Sequence, residues 1–219
     1  MARMTTVALD ELTRAKLSEI VSIRHESDPG GFWDRLAQRE IGAEERAAIS
    51  HIVRKLSGYG THRVNEATIW ARAIYPLLAL AERDDIRAWS LVPLAGKFGD
   101  IELRGEVDGA LARSFAEEIE LPYFVVVEAK RGFGGTDPMA QLFGAMLCAA
   151  QQNERAGEPV QEIFGCYTVA DVWTFVRGTL DWQEPKPTMS VLPSREYTEK
   201  SEAIVILAIL ESILAEAGV

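Results

Sequence analysis

The order of apolar patterns along the chain predicts an α/β protein, with a mixed central β-sheet flanked by helices and an N-terminal helical extension. Three observations carry that expectation. Helical-period apolar residues separated by strong breakers fill the first eighty positions. Alternating and β-branched runs take over between residues 88 and 129, and two further helical segments then bracket a second group of strands.

Residues 7–24 place Leu9, Leu12, Leu17, Ile20 and Val21 near helical spacing, which reads as an amphipathic helix ended by Ser27-Asp28-Pro29-Gly30-Gly31. A second helical region spans 33–56, with an interruption expected at Ile41-Gly42. Asn65 is a cap for a third helix from Glu66 to about Arg83, which Pro76 should kink or divide. Strands follow at 88–94 and 101–111, with a turn at 96–100 between them. The run Tyr123-Phe124-Val125-Val126-Val127 has the β-branched character of a buried central strand. Asp137-Pro138 offers a cap and a first-turn proline for a helix to about Gln152. Residues 163–169 and 172–178 read as a strand hairpin, 188–192 as another strand, and 199–217 as the closing helix. The division that results is a helical region over 1–60 and a core over 61–219.

The chain has 219 residues, 47% of them apolar, enough for a substantial core. Its formal net charge of −10 speaks against a basic surface over the whole molecule, so any nucleic-acid contact must come from a local patch. Cys148 and Cys166 lack metal-ligand spacing and read as reduced core thiols. With no apolar secretory run after Met1 and no membrane-length segment, the expectation is a cytoplasmic protein without a membrane partner. The apolar closing helix either completes the core or forms a symmetric homodimer contact.

Phosphodiester hydrolysis asks for a divalent cation held by carboxylates, with a cationic side chain beside it. Glu128-Ala129-Lys130 meets that requirement: residues two apart on a strand share a face, and this pair ends the apolar strand. Asp108 lies on the preceding strand, within Gly105-Glu106-Val107-Asp108-Gly109. Pairing of the two strands would bring Asp108 close enough to Glu128 to share Mg²⁺ or Mn²⁺.

Taken with a following helix that bears Gln141, this series of segments resembles the PD-(D/E)XK nuclease superfamily, whose members share a restriction-endonuclease-like core. The resemblance covers roughly residues 65–177 and departs from the motif in one place, where Val107 precedes Asp108. It implies Asp108 and Glu128 as metal ligands, Lys130 as the catalytic lysine and Gln141 as a site glutamine. It also implies Glu66, at the start of the helix before the sheet, as an additional metal-binding carboxylate. The implied activity is Mg²⁺-dependent hydrolysis of nucleic acid, with DNA ahead of RNA. The alternative is a catalytically inactive module of this fold that binds nucleic acid or a protein.

Each of these residues also has a plainer account. Asp108, Glu128 and Lys130 could form a strand-end salt bridge on a solvated rim; Gln141 could be an exposed helical residue, and Glu66 a first-turn charge. Glu106 reads as surface. A second acidic-x-Lys triplet, Glu184-Pro185-Lys186, sits in a proline-flanked loop and lacks the strand context. The glycines of 132–135 lack the Lys-Ser/Thr ending of a phosphate loop. His25, His51 and His62 lack ligand spacing and read as surface residues. Arg63, Arg72, Lys97, Arg104 and Arg131 are the cations available to hold a phosphate backbone near the site.

Overall fold

The computed structural model of the chain describes residues 4–58, 60–130, 138–157, 162–182 and 186–216. Arg131, the glycines of 132–135, the Asp137 cap, Glu184-Pro185 and the side chain of His62 lie outside the described residues.

Among the described residues, eight strands form one mixed sheet. They are β1 (Thr5–Ala8), β2 (Ser22–His25), β3 (Ile86–Phe98), β4 (Ile101–Phe115), β5 (Glu118–Lys130), β6 (Glu162–Val169), β7 (Val172–Asp181) and β8 (Thr188–Thr198). β3, β4 and β5 form an antiparallel meander; β6 joins β5 in parallel after a helical crossover, and β7 and β8 continue antiparallel. α2 (Phe32–Leu36), α3 (Ala43–Ser57), α5 (Tyr75–Leu80) and α7 (Glu199–Glu216) pack on one face of the sheet. α1 (Arg14–Ile20) and α6 (Pro138–Arg155) pack on the other. The general α/β expectation, a mixed sheet between helices, is therefore met.

The N-terminal region departs from the expected helical extension. β1 pairs in parallel with β4, and β2 pairs in parallel with β8, so the first sixty residues contribute two strands to the sheet. Only 14–20 of the supposed helix at 7–24 is α-helical, capped by the Thr13 hydroxyl, which accepts the Lys16 N–H at 3.2 Å. All five apolar residues that suggested the helix are buried. The apolar pattern identified what is inside, but sheet edges with open hydrogen-bonding groups claimed the residues on either side.

Other elements follow their local signals. Helix breaks fall at Ala37 to Gly42, where the Glu45 carboxylate accepts the Gly42 N–H at 2.6 Å and starts α3. The Asn65 side chain accepts the Thr68 N–H at 2.8 Å and caps α4 (Glu66–Ile69). A π-helical turn over Trp70–Ile74 joins α4 to α5, with Pro76 in the first turn of α5. Widening the helix by one residue per turn accommodates a proline that has no N–H to give, and this is where the expected kink is absorbed. β3 runs beyond its expected end to Phe98, and the turn narrows to Gly99-Asp100 with Gly99 at φ +58°.

On α7, Ile206, Leu207, Ile209, Leu210, Ile213 and Leu214 are all fully buried within this chain. At about 1.5–3 kcal/mol for each large aliphatic side chain, that burial decides the role of α7: it completes the core. Cys148 and Cys166 are free and buried. No helix among the described residues is long and apolar enough to cross a membrane.

Candidate functional site

The sheet splits beside Asp108. One edge of β4 pairs with β1 over residues 101–104 and with β5 from Gly109 onward. Residues 105–108 on that edge fall between the two partners, while β5 continues past Val127 paired with β6 on its other side. The strands diverge here, and the Asp108 carboxylate fills the fork by accepting the Ala129 N–H at 2.6 Å. That N–H would otherwise be an unsatisfied donor in a crowded interior.

Glu128 and Lys130 project from the end of β5 onto the same face, as the two-residue period requires. The Lys130 ammonium lies 2.6 Å from Glu128 Oε1. The salt bridge is real, but it is not on a solvated rim: Glu128 is 6% exposed, and Asp108 and Lys130 are half-buried. Burial pushes the Glu128 carboxyl up to about 7, helped by the charges of Asp108 and Glu66 and opposed by Lys130. Burial also raises Asp108, against the pull of the Ala129 N–H and of Lys130. For Lys130, burial works to lower the pKa, but the hydrogen bond and charge of Glu128, with Glu66 and Asp108 behind it, outweigh burial and raise it.

Glu66 reaches this group through a packing device. Glu66 and Trp70 are four residues apart and share a helix face. The Trp70 indole presses onto Gly109, where an added Cβ would lie 2.4 Å from Trp70 Cη2 and 2.8 Å from the Trp89 carbonyl oxygen. Its Nε1 donates to Ser90 Oγ at 3.1 Å. Only glycine at 109 permits this approach, and the approach brings the start of α4 to the fork. Gly105, at the other end of the fork, gives similar room to Leu9.

Among the described residues, no group of three or more His, Cys, Asp or Glu side chains is arranged to hold a metal ion. Glu66 enters through its charge, and Asp108 and Glu128 act on one another through theirs. Two carboxylates are nonetheless a sufficient protein contribution for Mg²⁺, which completes its shell with water and substrate oxygens. The donor set fits a hard divalent cation: both carboxylates are held in a half-dry fork where ionisation is penalised, and a cation would remove that penalty.

Gln141 is buried on α6, which packs along β5, and its Oε1 has no hydrogen-bond partner among the described residues. It is therefore not the exposed helical residue of the plainer account. Glu106 and Arg104 are exposed. Lys97 is exposed but pairs in register with Glu102, six residues along β4 from Asp108, or about 20 Å at strand rise. It lies too far off to touch the same phosphate. His25 and His51 are exposed.

Sequence reasoning missed a buried polar clamp at the same end of the sheet. Thr61 Oγ1 donates to Asp171 Oδ1 at 2.5 Å, and Lys200 lies 3.5 Å from Asp171 Oδ2. The Trp173 indole N–H donates to Glu199 at 2.8 Å. The neighbouring Ala170 N–H donates to the Lys130 carbonyl at 2.8 Å, which ties the β6–β7 turn to the end of β5. The clamp thus anchors the segment before Glu66 to the strand end that bears Lys130. Its members lie 110 or more residues from Thr61 in sequence, so no local pattern announces them.

The chain matches no protein-family model and no curated protein sequence.

Proposed function

We propose that the chain is a metal-dependent nuclease that hydrolyses phosphodiester bonds, with DNA as the substrate class. The carrying observation is the convergence of Asp108, buried Glu128 and Lys130 at the fork between β4 and β5. This set, within a mixed sheet flanked by helices, supports a restriction-endonuclease-like reading of the core.

Asp108 and Glu128 would hold Mg²⁺ or Mn²⁺, with Glu66 adding negative charge behind them. Such a cation, when bound, neutralises phosphate charge and lowers the pKa of its water. Asp108 is oriented by the Ala129 N–H, so its geometry is set before any ligand arrives. Lys130 remains an ammonium at neutral pH, because its carboxylate neighbours raise its pKa. It therefore acts as a donor: it orients the attacking water and stabilises charge developing on the phosphoryl oxygens. It is not a general base in this state. Gln141, whose buried Oε1 has no partner among the described residues, would supply an acceptor for a water of the site.

A module that binds without cutting is favoured by one observation, the net charge of −10. The deciding experiment is cleavage of circular, linear and single-stranded DNA with Mg²⁺ or Mn²⁺, run beside Lys130→Ala and Asp108→Asn. Cleavage lost in both variants supports the nuclease. Metal binding without cleavage of any substrate transfers the reading to the binding module.

A further inference from the structure

An acidic protein that handles nucleic acid needs its cations gathered in one place, and the structure gathers several of them along one groove. Residues 50–72 contain Arg54, Lys55, Arg63 and Arg72 against a single carboxylate, Glu66. Four positive charges and one negative leave this segment at +3, in a chain whose total is −10. The fold turns the segment into a groove between α3 and the helical run 66–80, lined by His51, Ile52, Lys55, Ala71, Arg72 and Pro76.

The groove has a sidedness that suits a chain of phosphates. His51 and Lys55 are four residues apart on one face of α3, and Arg72 stands on the opposite wall. Ile52 and Pro76 contribute apolar surface between them. Arg54 lies next to this rim, with Nη2 3.1 Å from His51 Nδ1, so its guanidinium supports the imidazole from the side. His51, Arg54, Lys55, Arg63 and Arg72 are all exposed.

Arg72 is six residues beyond Glu66 on one continuous helical run, about 9 Å along the axis. Six residues turn the helix by about 600°, so Arg72 and the groove lie around the run from the face that carries Glu66 and Trp70.

We infer that this groove binds the sugar–phosphate backbone of a nucleic-acid strand. The inference rests on the nuclease reading for its substrate class, and the binding it describes does not require cutting. Cations on both walls with no polar side chain in the apolar lining read phosphates rather than bases, so the contact is sequence-neutral and sensitive to salt.

The test is fluorescence anisotropy of labelled single-stranded and duplex DNA with metal-free protein in EDTA, across a series of NaCl concentrations. Lys55→Glu and Arg72→Gln are compared with wild type and with Lys16→Glu. The last changes net charge as Lys55→Glu does, but on α1 across the sheet. Thermal unfolding of each variant confirms that the fold is retained. The groove predicts affinity falling on the order of tenfold at low salt for Lys55→Glu, with the log–log salt slope reduced by about one for each cation removed. Lys16→Glu should bind like wild type. An absence of wild-type binding, or binding that Lys55→Glu and Arg72→Gln leave unchanged, overturns the inference. Because no metal is present, failure to cleave leaves this result intact, and cleavage with unaltered groove variants removes the groove while keeping the nuclease.

Discussion

Replacing Glu199 by glutamine should stabilise this protein above neutral pH and leave it nearly unchanged in mild acid. Glu199 begins α7 with no exposed surface; Oε2 accepts the Trp173 indole N–H, and Oε1 is buried without a partner among the described residues. Burial is the main cause that pushes its carboxyl up to about 7, with the Asp171 charge adding to the rise and Lys200 opposing it. The folded pKa thus exceeds the unfolded value of 4.5, so the folded state holds more protons between the two. The stabilising contribution is complete below pH 4.5 and is lost as pH rises through 7. At about 1.4 kcal/mol per unit, the ionised carboxylate costs on the order of 3 kcal/mol at pH 8. Glutamine keeps the acceptor for Trp173 but brings an amide N–H₂ that also needs partners, which offsets part of the gain. The net expectation is about 1–3 kcal/mol at pH 8, or roughly 2–4 °C in Tm for each kcal/mol. Urea unfolding of metal-free protein at pH 8 and pH 5, followed by tryptophan fluorescence, measures it. A variant less stable than wild type by the same amount at both pH values would refute the argument, because the charge would then be stabilised where it sits.

Three further outcomes follow from the site's packing and charge. Gly109→Ala places a Cβ against Trp70 and the Trp89 carbonyl and should cost about 1–3 kcal/mol. It should also weaken metal binding by displacing Glu66, and wild-type stability in thermal melts would contradict the packing argument. Mn²⁺ or Mg²⁺ should raise the melting temperature of wild type but not of Asp108→Asn, and raise it more at pH 8 than at pH 6. The raised Glu128 pKa means that a proton competes for that carboxylate near neutrality. Thr61→Val removes the donor to buried Asp171 and should destabilise the fold by about 1–3 kcal/mol. It should also reduce activity by loosening the segment before Glu66, and a stability equal to wild type in urea would rule out the clamp.

Much of this was legible in the sequence because it depends on local chemistry. The β-branched run of β5 and the two-residue period put Glu128 and Lys130 on one face before any tertiary contact is known. The Asn65 cap, the break at Gly42 and the helix-disturbing Pro76 act within a few residues of themselves, and each left its mark where the sequence implied. Tertiary structure decided what local patterns cannot encode. Leu9 to Val21 had to be buried either way, but open hydrogen-bonding edges on β4 and β8 drew the flanking residues into strands. The closeness of Glu66 to Asp108 depends on an indole resting on a glycine that is 39 residues away in sequence. Burial, not composition, moves Glu128 and Glu199 toward neutral pKa values, since the penalty on a charge comes from the water excluded by distant parts of the chain.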